Sequence, residues 1–369
     1  MTLRSWSRAP PREDSCRSLL ELTLMKGLVA EARDVGQTRF HQMFESPPPG
    51  RRIRLGDRRL HAHDLGIGSP AVVLEAGAGG WSSHWGGIPR LLSRHTRVIA
   101  YDRAGLGWSD CRKGPITGDA LAHDLVTMLD VLEIHEPVVL VGHSFGAAIV
   151  RVVAGRHPSR VAGAVFVDGW HESMAEWERA RNLKIEPGAW MRLTHGLLAR
   201  FGVLRVLVAM LPTPPSPWPI EGDTWRAILA MSSSRRHVRT SSREADAADE
   251  IDHENSRLPN MDAPIRVLVA RETLSAGEAP PGYPLADHNA AWVESSGRLA
   301  QLSADSALTV LESCDHMIHL RQPDVVVDAV LQVIEKARAG RHATAATLPN
   351  QGAAADGLLP PFGRSEDHR

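Results

Sequence analysis

The residues with the strongest chemical signature are Gly142-His143-Ser144-Phe145-Gly146, which follow the apolar run Val138 to Val141 and precede Ala147-Ala148-Ile149-Val150. A β-branched run, a tight turn and a small-residue helix start together describe a serine thrust out between a strand and a helix. Gly142 and Gly146 are then explained sterically, since a side chain at either place would collide with the neighbouring strand or helix. Ser144 would sit at the helix N-terminus, where free backbone N–H groups and the helix dipole favour developing negative charge. The same pattern with a merely capping serine would do no chemistry; the flanking strand and helix favour a nucleophile.

A serine hydroxyl needs a base. Of 18 histidines, His316 is the best placed, because it lies just beyond the apolar run Leu308 to Leu311, where a parallel sheet gathers its reactive groups. His319, three residues on, suits a packed or solvent-facing role, and His143 belongs to the turn or to the pocket floor.

Both groups require a sheet to bring them together. Ala71 to Leu74, Val98 to Tyr101, Val138 to Val141, Val161 to Val167, Ile265 to Val269 and Leu308 to Leu311 are strand-length apolar runs. Between them, Leu121, Leu125, Met128, Leu129 and Leu132 are spaced as one helix face, as are Val327, Val330, Leu331 and Ile334 after Pro323. This alternation predicts an α/β fold with a mostly parallel sheet flanked by helices. Upstream, Arg52 to Leu55 and Arg59 to His63 flank Gly56-Asp57 and read as an antiparallel hairpin. The alternation defines a core over 51–170 and 264–339. It is interrupted over 171–263 by a stretch with Trp170 at its edge, Trp177, Trp190, Trp218 and Trp225, five prolines in Pro212 to Pro219, a helical apolar face from Leu197 to Leu211 and a charge run from Arg235 to Glu254. Placement and aromatic content make this a helical cap, in preference to a solvated excursion. Residues 1–50 read as a flexible arm and 340–369 as a tail with too few apolar residues to offset its ordering.

The chain resembles the α/β-hydrolase fold superfamily, in its serine hydrolase and esterase branch, over about residues 52–338. Besides the turn at Ser144, Leu74-Glu75-Ala76-Gly77-Ala78-Gly79-Gly80 is similar to the family's oxyanion segment, with Ala76-Gly77 where many members carry His-Gly, and Tyr101-Asp102-Arg103-Ala104-Gly105-Leu106-Gly107-Trp108-Ser109 to its D-x-x-G-x-G-x-S loop. The resemblance implies oxyanion donors at Ala78 N–H and Phe145 N–H. It places the acid that orients the histidine after the strand Ile265 to Val269 in most members, yet that position is near Thr273, with only Glu272 close by. A minority carry the acid one strand earlier, which here is Asp168. Asp168 is preferred and Glu272 remains the alternative; Asp102 precedes the serine and suits a loop-organising role.

Composition sets the remaining limits. With 42 basic and 43 acidic side chains and a formal charge of −1, nothing suggests a nucleic-acid partner. Cys16, Cys111 and Cys314 are too few and too far apart for a disulfide framework or a metal cluster, and Leu19 to Ala32 is broken by Glu21, Lys26 and Glu31. A cytoplasmic protein without stable membrane insertion is expected. The predicted activity is hydrolysis of a carboxylic ester, lactone or amide through Ser144, His316 and Asp168 by an acyl-enzyme, on an apolar small molecule and with no cofactor. A serine at 144 disfavours the aspartate-nucleophile epoxide hydrolases and dehalogenases of this fold. A ligand-binding receptor with little turnover, or a cofactor-free lyase or perhydrolase, are the alternatives.

Overall fold

Gly56, at φ +59°, reverses the chain between β1 (Arg51–Leu55) and β2 (Arg58–Leu65), and Leu55 pairs with Arg58 across this two-residue turn. The computed structural model describes residues 50–183, 198 and 222–347. The expected arm, the proline-rich segment, the Leu197 to Leu211 helix face apart from Leu198, and the tail beyond 347 lie outside the described residues.

After the hairpin come β3 (Val72–Glu75), α1 (Ile88–Leu92), β4 (Val98–Tyr101), α2 (Gly118–Val131), β5 (Val138–His143), α3 (Phe145–Arg156) and β6 (Val161–Val167). The described part of the excursion contributes α4 (Glu172–Ala180), α5 (Gly222–Ser232) and α6 (Arg235–Asn255). Then β7 (Ile265–Ala270), α7 (Leu285–Ala300), β8 (Ser306–Leu311), α8 (Ile318–Arg321) and α9 (Pro323–Thr347) complete the fold. The eight strands form one sheet in the order β1-β2-β4-β3-β5-β6-β7-β8, antiparallel at the hairpin end and parallel from β4 onward. This is the α/β architecture expected from the alternation.

The central strands β3 to β6 read as continuous apolar runs because both faces of the sheet are covered there, whereas the edge strand β8 is largely exposed. Along β5, Val138 and Leu140 join the core beneath α2 and α3, while Val139 and Val141 join the core beneath α1 and α9. Along β6, Ala164 and Phe166 face the first core and Val165 and Val167 the second. Thr117 starts α2 by accepting a hydrogen bond from Ala120 N, 3.1 Å away.

Three features depart from the sequence reading. Helix α7 was not anticipated, because its buried positions His288, Trp292, Ser295, Ser296 and Leu299 have helical spacing but mostly polar character. Helix α6, visible in the sequence only as the charge run from Arg235 to Glu254 within the expected cap, buries Thr240, Glu244, Ala247, Ile251, Asp252 and Asn255 along one side. Helix α9 runs to Thr347, past the boundary expected at 339. Among the described residues, no helix is long and apolar enough to cross a membrane.

Because Leu140 is fully buried at the centre of the sheet, Leu140→Ala is expected to destabilise the fold by about 2–5 kcal/mol. Urea unfolding measures this, as a lower midpoint at unchanged slope.

Candidate active site

Strand β5 delivers Ser144 into a backbone conformation that few non-glycine residues adopt, φ 52° and ψ −123°, immediately before α3. The strain is held by the Ser144 N–H donating to Val167 O at 3.2 Å and by Ser144 O accepting from Ala147 N at 2.9 Å and Trp170 N at 3.0 Å. A Cβ on Gly142 would lie 2.7 Å from Gly146 O, and one on Gly146 only 2.2 Å from Glu75 O. The two glycines therefore let the helix start close against β5 and β3. The Ser144 hydroxyl makes no hydrogen bond capping α3.

Asp168 follows β6, at φ 45° and with no solvent exposure. Its N–H donates to Leu268 O at 2.7 Å. Its carboxylate accepts from Ala270 N at 2.8 Å and Thr273 Oγ1 at 2.9 Å, and Oδ2 lies 2.7 Å from His316 Nδ1. The position where the resemblance led us to look for the acid is thus occupied by a threonine that supports a carboxylate from the neighbouring strand. Glu272 is exposed and makes no such contact with His316. With Nδ1–H donated to Asp168, His316 keeps Nε2 as its free acceptor.

A layer of neutral imidazoles lies beneath His316. Nε2 of His143 donates to His316 O at 3.0 Å, and burial holds this histidine well below its ordinary pKa. His319 donates from Nε2 to His84 O at 3.1 Å and packs on Trp85, with burial pushing its pKa down to about 3. His319 is therefore buried, with Nε2 committed as a donor and Nδ1 without a hydrogen-bond partner among the described residues. Asp102 accepts from Ser82 N and Trp108 N at 2.9 and 2.8 Å and faces His61, which makes it a loop organiser.

Ala78, Ser144, Phe145 and His316 line one cavity of about 560 Å³. Trp170 and Trp292 form aromatic walls, and Asp252 of α6 accepts from Trp170 Nε1 at 2.9 Å. Burial pushes the Asp252 carboxyl up to about 7, against the opposing pull of that indole N–H. Among the described residues no group of three His, Cys, Asp or Glu side chains could hold a metal ion.

Sequence reasoning missed a buried ion network beside Ala78. Arg103 donates from Nε to Glu244 Oε1 at 2.7 Å, from Nη2 to Glu244 Oε2 at 2.9 Å, and from Nη1 to Glu75 Oε1 at 2.7 Å. Burial alone would lower the pKa of this guanidinium, but Glu244 and Glu75 outweigh it and hold the pKa above its ordinary value. Nothing in the sequence marks Arg103 and Glu244 as partners, because they are 141 positions apart and Glu244 sits in a charge run.

A family profile described as "alpha/beta hydrolase fold" matches residues 70–185. The chain is 32% identical over 200 residues to the 2-hydroxymuconate semialdehyde hydrolase of Pseudomonas sp. (strain CF600), covering 47% of this chain and 69% of that protein. It is 36% identical over 146 residues to the probable transporter efuK of Hormonema carpetanum, covering 37% of this chain but spanning only 20% of that protein's length. Its fold is similar to that of a thermophilic esterase from Thermogutta terrifontis, with a TM-score of 0.52 and 20% identity, covering 78% of this chain and 99% of that one. The chain belongs to the alpha/beta hydrolase fold family, and that membership supports a hydrolase.

The raised pKa of Asp252 has a stability consequence. Between its ordinary 3.8 and about 7, the folded state keeps a proton that the unfolded chain has released, so stability falls as pH rises through this window. Asp252→Asn is expected to remove that slope. In urea unfolding, the midpoint of the variant relative to wild type should be higher at pH 8 than at pH 5.

Proposed function

We propose that this protein is a serine hydrolase that cleaves a neutral carboxylic ester through an acyl-enzyme. The observation that carries the reading is the 2.7 Å contact between His316 Nδ1 and Asp168 Oδ2, with His316 and the strained Ser144 lining the same cavity. In this reading Ser144 Oγ attacks the ester carbonyl while His316 Nε2 takes its proton, and Ala78 N–H and Phe145 N–H bind the oxyanion. The tetrahedral adduct collapses, and the leaving alkoxide receives the proton from His316. Water, activated by the same imidazole, then attacks the acyl-enzyme and releases the acid. Asp168 holds the tautomer and stabilises the imidazolium.

The cavity wall supports a neutral substrate. Among the described residues that line it, Glu178, Glu244, Asp249, Asp252 and Glu278 are acidic and Arg179 is basic; Glu244 is paired with Arg103, and Asp252 adds its charge only as the pH nears about 7 and above. A carboxylate-bearing substrate, such as the muconate semialdehyde in the name of the Pseudomonas relative, would meet like charge there. Trp170, Phe145 and Trp292 suit an apolar acyl or alcohol group. We read the helical excursion 171–263 as the cap that carries part of this wall.

The test is intact-mass labelling with a fluorophosphonate together with turnover of p-nitrophenyl butyrate. Wild type is expected to take up one label, and Ser144→Ala none. Asp168→Asn should lower kcat by about 10⁴-fold, whereas Glu272→Gln leaves it unchanged. An unlabelled wild type without turnover would instead indicate a ligand-binding protein. A paired measurement addresses charge: a p-nitrophenyl ester ending in a carboxylate should be a poorer substrate, by kcat/KM, than its neutral analogue of equal length.

A further inference from the structure

We propose that Arg103 and Glu244 are positioning residues that aim the Ala78 N–H at the oxyanion, so that helix α6 of the excursion sets the geometry of the reaction; this rests on the serine hydrolase reading above. The carbonyl of Gly77 and the N–H of Ala78 belong to one trans peptide unit, so they point in opposite directions and fixing one fixes the other. Gly77 O accepts from Arg103 Nη2 at 2.7 Å and from Gly80 N at 2.9 Å. Ala76 O, one residue earlier, accepts from Arg103 Nη1 at 2.6 Å. One guanidinium thus holds two consecutive carbonyls of the segment and leaves the Ala78 N–H facing away from it. A cation at the carbonyl end also polarises the peptide, which makes its N–H a better donor to a developing anion.

Glu244 acts on both ends of the same segment. It grips Arg103 with both carboxylate oxygens, in the fork geometry that fixes a guanidinium plane, and its Oε2 also accepts from Gly79 N at 2.8 Å. The helix that carries it is seated tightly. A Cβ on Gly79, which has φ +65°, would come within 2.7 Å of Ser241 Oγ, and one on Gly105, at φ +93°, within 2.4 Å of Thr240 Oγ1. Residues 240, 241 and 244 lie on one helical side, so α6 contacts the oxyanion segment and the Asp102–Gly107 loop together. Arg103 and Glu244 are both buried; Glu244 borders the cavity, but its carboxylate oxygens are taken up by Arg103 and Gly79 N–H.

A purely structural ion pair would also destabilise the protein when broken, so the experiment has to report on the aim of the donor. The full-length chain is used, with active sites counted by fluorophosphonate stoichiometry. For Arg103→Lys, which keeps the charge but cannot span both carbonyls, kcat per labelled site is expected to fall about ten- to a hundred-fold, below the loss expected for a deleted oxyanion donor. KM should change little. The inhibition constant of a trifluoromethyl ketone, whose serine adduct carries the oxyanion, should weaken in proportion to the fall in kcat/KM. Glu244→Gln, which keeps the shape and loses the charge, should do the same to a smaller extent, and it provides the measurement if Arg103→Lys does not fold. Variants that are less stable but turn over and bind the ketone like wild type, per labelled site, would overturn the inference. A wild type that neither labels nor turns over would overturn the serine reading, and this inference with it.

Discussion

A carboxylate without access to water must be met by donors, and the site is organised around the one at Asp168. Its partners come from three places: the backbone at the last residue of β7, the hydroxyl of Thr273, and the imidazole carried beyond β8. Satisfying this single buried charge therefore brings the ends of β6, β7 and β8 into one arrangement. The same contacts fix the tautomer of His316 and leave Nε2 as its unengaged nitrogen. The parallel sheet makes this possible because consecutive strands end on the same edge. Ser144 reaches that edge from β5, with the crowding of its turn relieved by Gly142 and Gly146.

The sequence carried the local parts of this arrangement. Gly142 to Gly146, the apolar run ending at Asp168 and the loop around His316 are each short segments whose residue types already describe their geometry. The strands were legible because burial on two faces leaves almost no polar residue in them, as in Val138 to Val141. What could not be read was the polar packing. Helix α6 buries a glutamate, an aspartate and an asparagine, residues that hydropathy assigns to solvent, and their burial makes sense only once Arg103 and Trp170 are beside them. Helix α7 escaped for a related reason, since His288 and Ser295 occupy positions where an apolar stripe would have been visible. Asp168 lay between: it was a candidate from its place after β6, but that its carboxylate and not that of Glu272 meets His316 could be seen only in the structure.

The excursion is joined to the core differently from the way the strands are joined to one another. Its helix α6 meets the core through ion pairs and hydrogen bonds as much as through Ala247 and Ile251. Buried ion pairs contribute little net stability once their desolvation is counted, but breaking one by removing a partner is costly. Such a contact specifies position more than it adds strength. That fits a segment which contributes Asp249 and Asp252 to the cavity that Ser144 also lines.

The bridge between Arg103 and Glu244 crosses the boundary at which one would cut this chain to build a hybrid enzyme. Grafting a foreign helical segment onto the sheet to change selectivity would import new walls but leave a buried guanidinium with only Glu75 of its two counterions. Recombination at this junction is therefore constrained to exchange positions 103 and 244 as a unit, whatever else varies around them.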